Sequence, residues 1–202
     1  MRSAPPQPAP TPVARPHGRI AAYVAGEGRA VMLVHGVGFG PDTLAAAARA
    51  VVAAGARVIV PHRGGYGASR EAAPAGDLAG QVDDLVAVLD AAGARRAVWA
   101  GVSGGATIAL SAAIAHPGRV AGLVLHEPAL GTLAGILNSR LREAAAMVAA
   151  ADDPGAAAED LARALAGAGW AGVDEATTRA IRAAGPARRA ESHHLPAIAP
   201  TA

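Results

Sequence analysis

AVWAGVSGGATIAL, residues 97–110, runs from an unbroken apolar stretch into a segment of helical composition through Gly101-Val102-Ser103-Gly104-Gly105. A serine flanked two positions away on each side by glycine, at a strand-to-helix joint, meets the demands of a tight turn that lifts a hydroxyl out of the chain. The helix that follows points its positive end toward charge developing beside that serine. The bland alternative is a Gly-rich turn with a bystander serine. Placement between strand and helix favours the first reading.

Outward from this joint, short apolar runs alternate with Ala-rich stretches of helical length. The pattern predicts strands over 20–25, 30–35, 57–60, 97–102 and 120–126, and helices over 41–54, 77–92 and 104–116. Such alternation belongs to an α/β fold with a mostly parallel sheet. Four of the five strands are continuously apolar, as in strands covered on both faces. Asp77 is the expected N-cap of the second helix, Leu78, Val82, Leu85, Val86 and Leu89 are its apolar stripe, and Gly93 its stop. Beyond Leu130 the chain changes to Ala-rich amphipathic segments, 132–151, 155–166 and 174–183, with no further strand. Residues 1–17 are Pro-rich and are expected to be a disordered tail.

Composition narrows the chemistry. Of 202 residues, 57 are Ala, 25 Gly and 15 Pro, so the 52% hydrophobic fraction overstates the core. Of the 48 larger apolar residues, 33 lie between Ile20 and Leu130, which places one core there and leaves too few elsewhere for a second domain. All 18 basic residues are Arg; without Lys there is no P-loop, Schiff base or Ser/Lys dyad. Without Cys there is no disulfide, thiol nucleophile or cysteine zinc site, and HExxH is absent, so no metal and no cofactor are expected. The net charge is +2, and three of the Arg residues precede the first acid, Glu27, so a nucleic-acid partner is not implied. No run approaches the roughly 20 apolar residues of a membrane span, and the N-terminus lacks the apolar region of a signal peptide. A cytoplasmic protein without a membrane partner is expected.

A second loop, His35-Gly36-Val37-Gly38-Phe39-Gly40, ends another apolar strand. Small residues there let backbone N–H groups approach a ligand closely. A dinucleotide loop would need a third glycine where Pro41 stands. His35 reads as a structural loop residue rather than a base. With Gly36 and Trp170 it is expected to border a small-molecule substrate, although a single Trp on a turn is more often packing.

The blocks VMLVHGVGFG, VIVPHRGGYGAS, AVWAGVSGGATIAL and HPGRVAGLVLHEPAL, in this order across residues 19–130, resemble the α/β-hydrolase superfamily. The resemblance implies a three-layer core with a mostly parallel sheet flanked by helices over 18–130, and a helical lid over an acyl pocket at 131–190. It further implies a connector at 191–202 leading to two strands that the sequence does not reach. Ser103 would be the nucleophile, with the Val37 and Gly104 N–H groups as oxyanion hole. Serine rather than aspartate at the elbow disfavours the epoxide-hydrolase and haloalkane-dehalogenase branches, leaving ester, thioester, lactone or carbon–carbon hydrolysis.

A serine alkoxide needs a histidine base and an orienting acid, in the chain order Ser, acid, His. In the resembling family both usually follow strands beyond residue 202. Within the chain, Glu127, at the end of the last predicted strand, is the candidate acid, and His194, beside His193, the candidate base. The bland readings are a loop residue and a solvated connector. His126 borders the same strand end, His62 and Arg63 are expected to fix loop structure, and Asp174 and Glu175 to open a lid helix. Two other readings stay open: a non-catalytic small-molecule receptor or scaffold, and cofactor-free perhydrolase or haloperoxidase chemistry. The strand ending at His126 would be an exposed parallel edge, and self-association through it is expected.

Overall fold

Side chains alternate across a strand, so a strand that is apolar at every position needs cover on both faces. β3 (Ala30–Val34) and β4 (Arg57–His62) show this directly. Met32, Val34 and Ile59 enter one core, while Leu33, Val58 and Val60 enter another on the opposite face. The computed structural model describes residues 11–75, 77–129, 143 and 146–192. Six strands form one sheet in the order β1-β2-β4-β3-β5-β6. β1 (Thr11–Arg15) and β2 (Gly18–Ala25) make an antiparallel hairpin, and β2 runs antiparallel to β4. From β4 through β3 and β5 (Ala97–Val102) to β6 (Val120–His126) all pairings are parallel.

Helices cover both faces. α1 (Ala45–Ala53) packs through Ala48 over Leu33, Val58 and Val60. On the other side α2 (Leu78–Ala91) and α3 (Gly104–Ala115) cover Ile20, Met32, Ile59 and Trp99 with Val82, Leu85, Leu89 and Ile108. Burying a Leu or Val side chain fully contributes about 1.5–3 kcal/mol, so this second layer supplies most of the stabilisation. Asp77 caps α2 by accepting from Gly80 N at 2.7 Å, and Gly93 ends it at φ +68°, both as the sequence indicates. The first predicted helix divides: a 3₁₀ turn at Pro41–Leu44 precedes α1.

After the sheet come α4 (Pro154–Ala166), α5 (Glu175–Ala183) and α6 (Gly185–Ser192), with residues 146–150 also helical. Residue 143 is helical as well, while 132–142, 144 and 145 of the predicted 132–151 helix lie outside the described residues. Asp153 caps α4 and Asp174 caps α5. The sequence signals two helices here and misses α6, whose Gly-Pro opening reads as a breaker. Proline is tolerated in the first turn, where its missing N–H costs nothing.

The N-terminal expectation needs correction. Residues 11–15 are not tail but strand, in register from Thr11↔Ala22 to Arg15↔Gly18. Pro12 is admissible because β1 is the outermost strand of the described sheet and needs partners on one side only. The hairpin is fastened to α2: Asp84, buried, accepts from Arg15 Nε at 2.7 Å and pairs with His17 Nε2 at 2.8 Å. Among the described residues no helix is long and apolar enough to cross a membrane.

Candidate active site

Two loops meet at the carboxyl ends of β3 and β5. At the first, Ser103 has φ +52° and ψ −121°, a backbone conformation that L-residues rarely adopt. The surrounding glycines make it attainable. A Cβ at Gly101 would lie 2.4 Å from the Gly105 carbonyl oxygen, and one at Gly105 2.3 Å from that of Val34. The turn is therefore too tight for any side chain at either position. Ser103 N donates to His126 O at 2.9 Å, and Ser103 O accepts from Ala106 N and Thr107 N, which starts α3. The Ser103 amide is thus occupied, as are those of Ala106 and Thr107, while the Gly104 and Gly105 N–H groups that open α3 have no acceptor within the helix.

The second loop lies against this turn. A Cβ at Gly36 would be 3.5 Å from Ser103 Cβ, and one at Gly104 2.6 Å from Val37 Cγ2 and 3.7 Å from Val37 N. Ser103, Gly36, Val37 and Gly104, singled out from separate motifs, are brought together. Glu127 follows β6 at φ +47°, exposed, one residue beyond the carbonyl that binds the Ser103 amide. Among the described residues no side chain hydrogen-bonds to Ser103 Oγ; His194 lies outside them.

His35, expected to border a substrate, lies beneath the loop rather than at its surface. Its ring is fully buried; Nε2 accepts from Arg63 N at 3.3 Å, so Nδ1 carries the proton and donates to Gly36 O at 3.0 Å. Burial, and then the Arg63 charge, hold its pKa well below the usual histidine value, so the ring is neutral. Trp170 packs with Phe39 against Ala158, Ala162 and Ile181, and the Arg163 guanidinium lies 4.8 Å from its ring centroid. Its contacts are those of packing.

A buried polar cluster behind the loop escaped the sequence reading. Arg63 donates through Nη1 to Glu191 Oε1 (2.5 Å) and Gln81 Oε1 (2.6 Å), and through Nη2 to Glu191 Oε2 (3.3 Å) and Gly36 O (3.2 Å). The Tyr66 hydroxyl donates to Glu191 Oε2 at 2.6 Å and accepts from Gly38 N at 2.9 Å. Burial, then the Glu191 charge, push the Tyr66 pKa far up, so the hydroxyl stays a donor. Arg188 Nη1 donates to Val37 O at 3.2 Å. Arg63 fixes loop structure, as expected of it; Tyr66, Arg188 and Glu191 had no local signal. Among the described residues no group of three or more His, Asp or Glu is placed to hold a metal.

The sheet order, the strained serine and the adjoining glycine loop define the class. The chain matches the model of the alpha/beta hydrolase fold family over residues 29–168, and it belongs to that family. It is 43% identical over 84 residues to Epoxide hydrolase A of Mycobacterium tuberculosis (strain ATCC 25618 / H37Rv), a match covering 40% of this chain and 26% of that protein. The chain thus spans about a quarter of the length of the curated relative it matches. The crystal structure of Epoxide Hydrolase A from Mycobacterium thermoresistibile superimposes with TM-score 0.52 at 32% identity, covering 58% of this chain and 39% of that one. A putative epoxide hydrolase from Pseudomonas aeruginosa shares the fold at TM-score 0.74 and 19% identity, covering 96% of this chain and 72% of that one.

Proposed function

We propose that the chain is a serine hydrolase that cleaves an ester, thioester or similar acyl bond through an acyl-enzyme at Ser103. The observation that carries this reading is the Ser103 backbone, φ +52° and ψ −121°, beside the Gly36-Val37 loop. Strain of this kind costs about 1–3 kcal/mol and persists where the surrounding structure demands it. In the proposed reaction Ser103 Oγ attacks the acyl carbonyl as its proton passes to a base. The Val37 and Gly104 N–H groups receive the oxyanion, the leaving group departs with a proton, and water then hydrolyses the acyl-serine. His194 is the candidate base and Glu127 its orienting acid. Helices α4 to α6 are the candidate lid.

Epoxide opening, the activity named for the relatives, fits a serine poorly. Attack of a serine alkoxide on an epoxide carbon gives an ether, which has no carbonyl for water to attack, so the enzyme would be alkylated once and stop. An acyl-serine has that carbonyl and turns over.

The test is labelling of the purified chain with a fluorophosphonate probe, with Ser103→Ala as control. Labelling lost in the control is expected, together with loss in His194→Ala and weakening in Glu127→Gln. A folded protein that does not label would overturn the reading. It would favour the second one, a small-molecule receptor on the hydrolase scaffold. Ligand binding that survives Ser103→Ala without turnover would be its signature.

A further inference from the structure

We propose that Glu191 is a positioning residue for the oxyanion loop, holding Arg63 and Tyr66 so that these two fix the peptide groups on either side of Val37. The inference rests on the reading of Val37 N–H as an oxyanion donor. The Gly36 carbonyl is the other end of the amide to which the Val37 N–H belongs. That oxygen accepts from His35 Nδ1 (3.0 Å) and from Arg63 Nη2 (3.2 Å). The next peptide is held at both ends, Val37 O by Arg188 Nη1 (3.2 Å) and Gly38 N by Tyr66 Oη (2.9 Å). Both peptide planes flanking Val37 are therefore fixed, and so is the direction of the N–H between them.

The bonds also act electronically. A guanidinium on the Gly36 oxygen polarises the amide and strengthens its N–H as a donor. An oxyanion donor is useful in proportion to its preorganisation, because it need not reorient as charge develops.

Glu191 holds the arrangement together. Arg63 and Glu191 are both almost fully buried, and one carboxylate receives Arg63 Nη1, Arg63 Nη2 and Tyr66 Oη. Without it the guanidinium would be a buried charge without a counter-ion and would seek water. The Tyr66 ring would lose the hydrogen bond that anchors its oxygen opposite Gly38 N, and could then shift and loosen that contact. His35 is the other positioning group, and burial keeps it in the neutral tautomer that donates to Gly36 O.

The experiment compares wild type, Glu191→Leu, Glu191→Gln and Tyr66→Phe by two readouts. Amide hydrogen exchange at Gly38 reports the loop whether or not the protein turns over substrate. Hydrolysis of a p-nitrophenyl ester reports catalysis. Glu191→Leu is expected to speed Gly38 exchange about tenfold or more while amides of β3 and β5 stay protected. It should lower kcat about 10- to 100-fold with KM nearly unchanged, the pattern of an interaction made in the transition state. Glu191→Gln, which keeps the shape and one oxygen acceptor, should restore part of both. Tyr66→Phe removes a single hydroxyl, so it tests the link to Gly38 even if Glu191→Leu fails to fold. Unchanged Gly38 exchange in a folded Glu191→Leu and in Tyr66→Phe would overturn the proposal, as would a change confined to KM in an active protein. A wild type inert to the ester and to fluorophosphonate, with exchange responding as expected, would remove the catalytic reading and leave Glu191 holding the loop.

Discussion

Ser103 occupies φ +52° and ψ −121°, where a Cβ is strained and glycine is not. Replacing it with Ala or with Gly removes the hydroxyl in both cases, but only Gly removes the Cβ. The two variants therefore isolate the backbone term. Relief of strain in this region is about 1–3 kcal/mol, and the extra backbone entropy that Gly loses on folding takes back about 0.5–1 kcal/mol. Ser103→Gly should then exceed Ser103→Ala in stability by about 0.5–2 kcal/mol. At this chain length each kcal/mol moves Tm by about 2–4 °C, so calorimetry should place the Gly variant about 1–8 °C above the Ala variant. Urea unfolding with equal m values would show that the two variants differ in stability and not in the surface exposed on unfolding. Neither variant should label with fluorophosphonate. A Gly variant no more stable than the Ala variant would refute the argument that the serine is held in a strained conformation by its surroundings.

Gly101→Ala places a Cβ 2.4 Å from the Gly105 carbonyl oxygen and should cost about 3 kcal/mol or more in urea unfolding, because backbone rather than a side-chain tip must yield. Gly40→Ala is the matched control: with φ −70°, ψ 175° and nothing within 4 Å of its Cβ, it should be neutral or gain about 0.4–1 kcal/mol. Leu85→Ala, at a fully buried site under the sheet, should cost about 2–5 kcal/mol by the same measurement. The pH dependence has a defined sign. The folded pKa of His35 lies well below its unfolded value near 6.5, and that of His62 is also lowered, so the unfolded chain binds more protons than the folded one as pH falls through 6.5. Unfolding free energy should thus be fully retained above pH 7 and decline between pH 6.5 and 5, by at most about 1.4 kcal/mol per pH unit for each proton. His35→Asn should flatten the part of that slope due to its ring, and an unchanged slope would contradict the assignment.

Legibility followed the range of the interactions. The serine turn was readable because its requirements are local: Gly101 and Gly105 are set by contacts within a few residues of Ser103 or with the neighbouring strand end. Strand and helix positions in the core followed from apolar runs and from Asp77 and Gly93. β1 was hidden because Thr11-Pro-Val-Ala-Arg15 has the composition of a tail, and its order comes from pairing with β2 and from Asp84, far along the chain. α6 was hidden for a similar reason, since its opening Gly-Pro and polar run carry no apolar stripe of their own. Glu191 lies 128 residues from the arginine it neutralises, and nothing near it in sequence signals that partnership. One question could have found it: a buried Arg63 demands an acid, and few acids remain to supply one.

The distance between Arg63 and Glu191 also orders events during synthesis. The six described strands and helices α1 to α3 have all emerged once residue 126 has, and they can pack on one another. The loop beside the serine acquires the Glu191 fastening 65 residues later, when α6 leaves the ribosome and closes a contact 128 residues long. A nascent chain can therefore hold these packed elements for several seconds, at about 5–20 residues per second, before the loop beside Ser103 is fastened by α6.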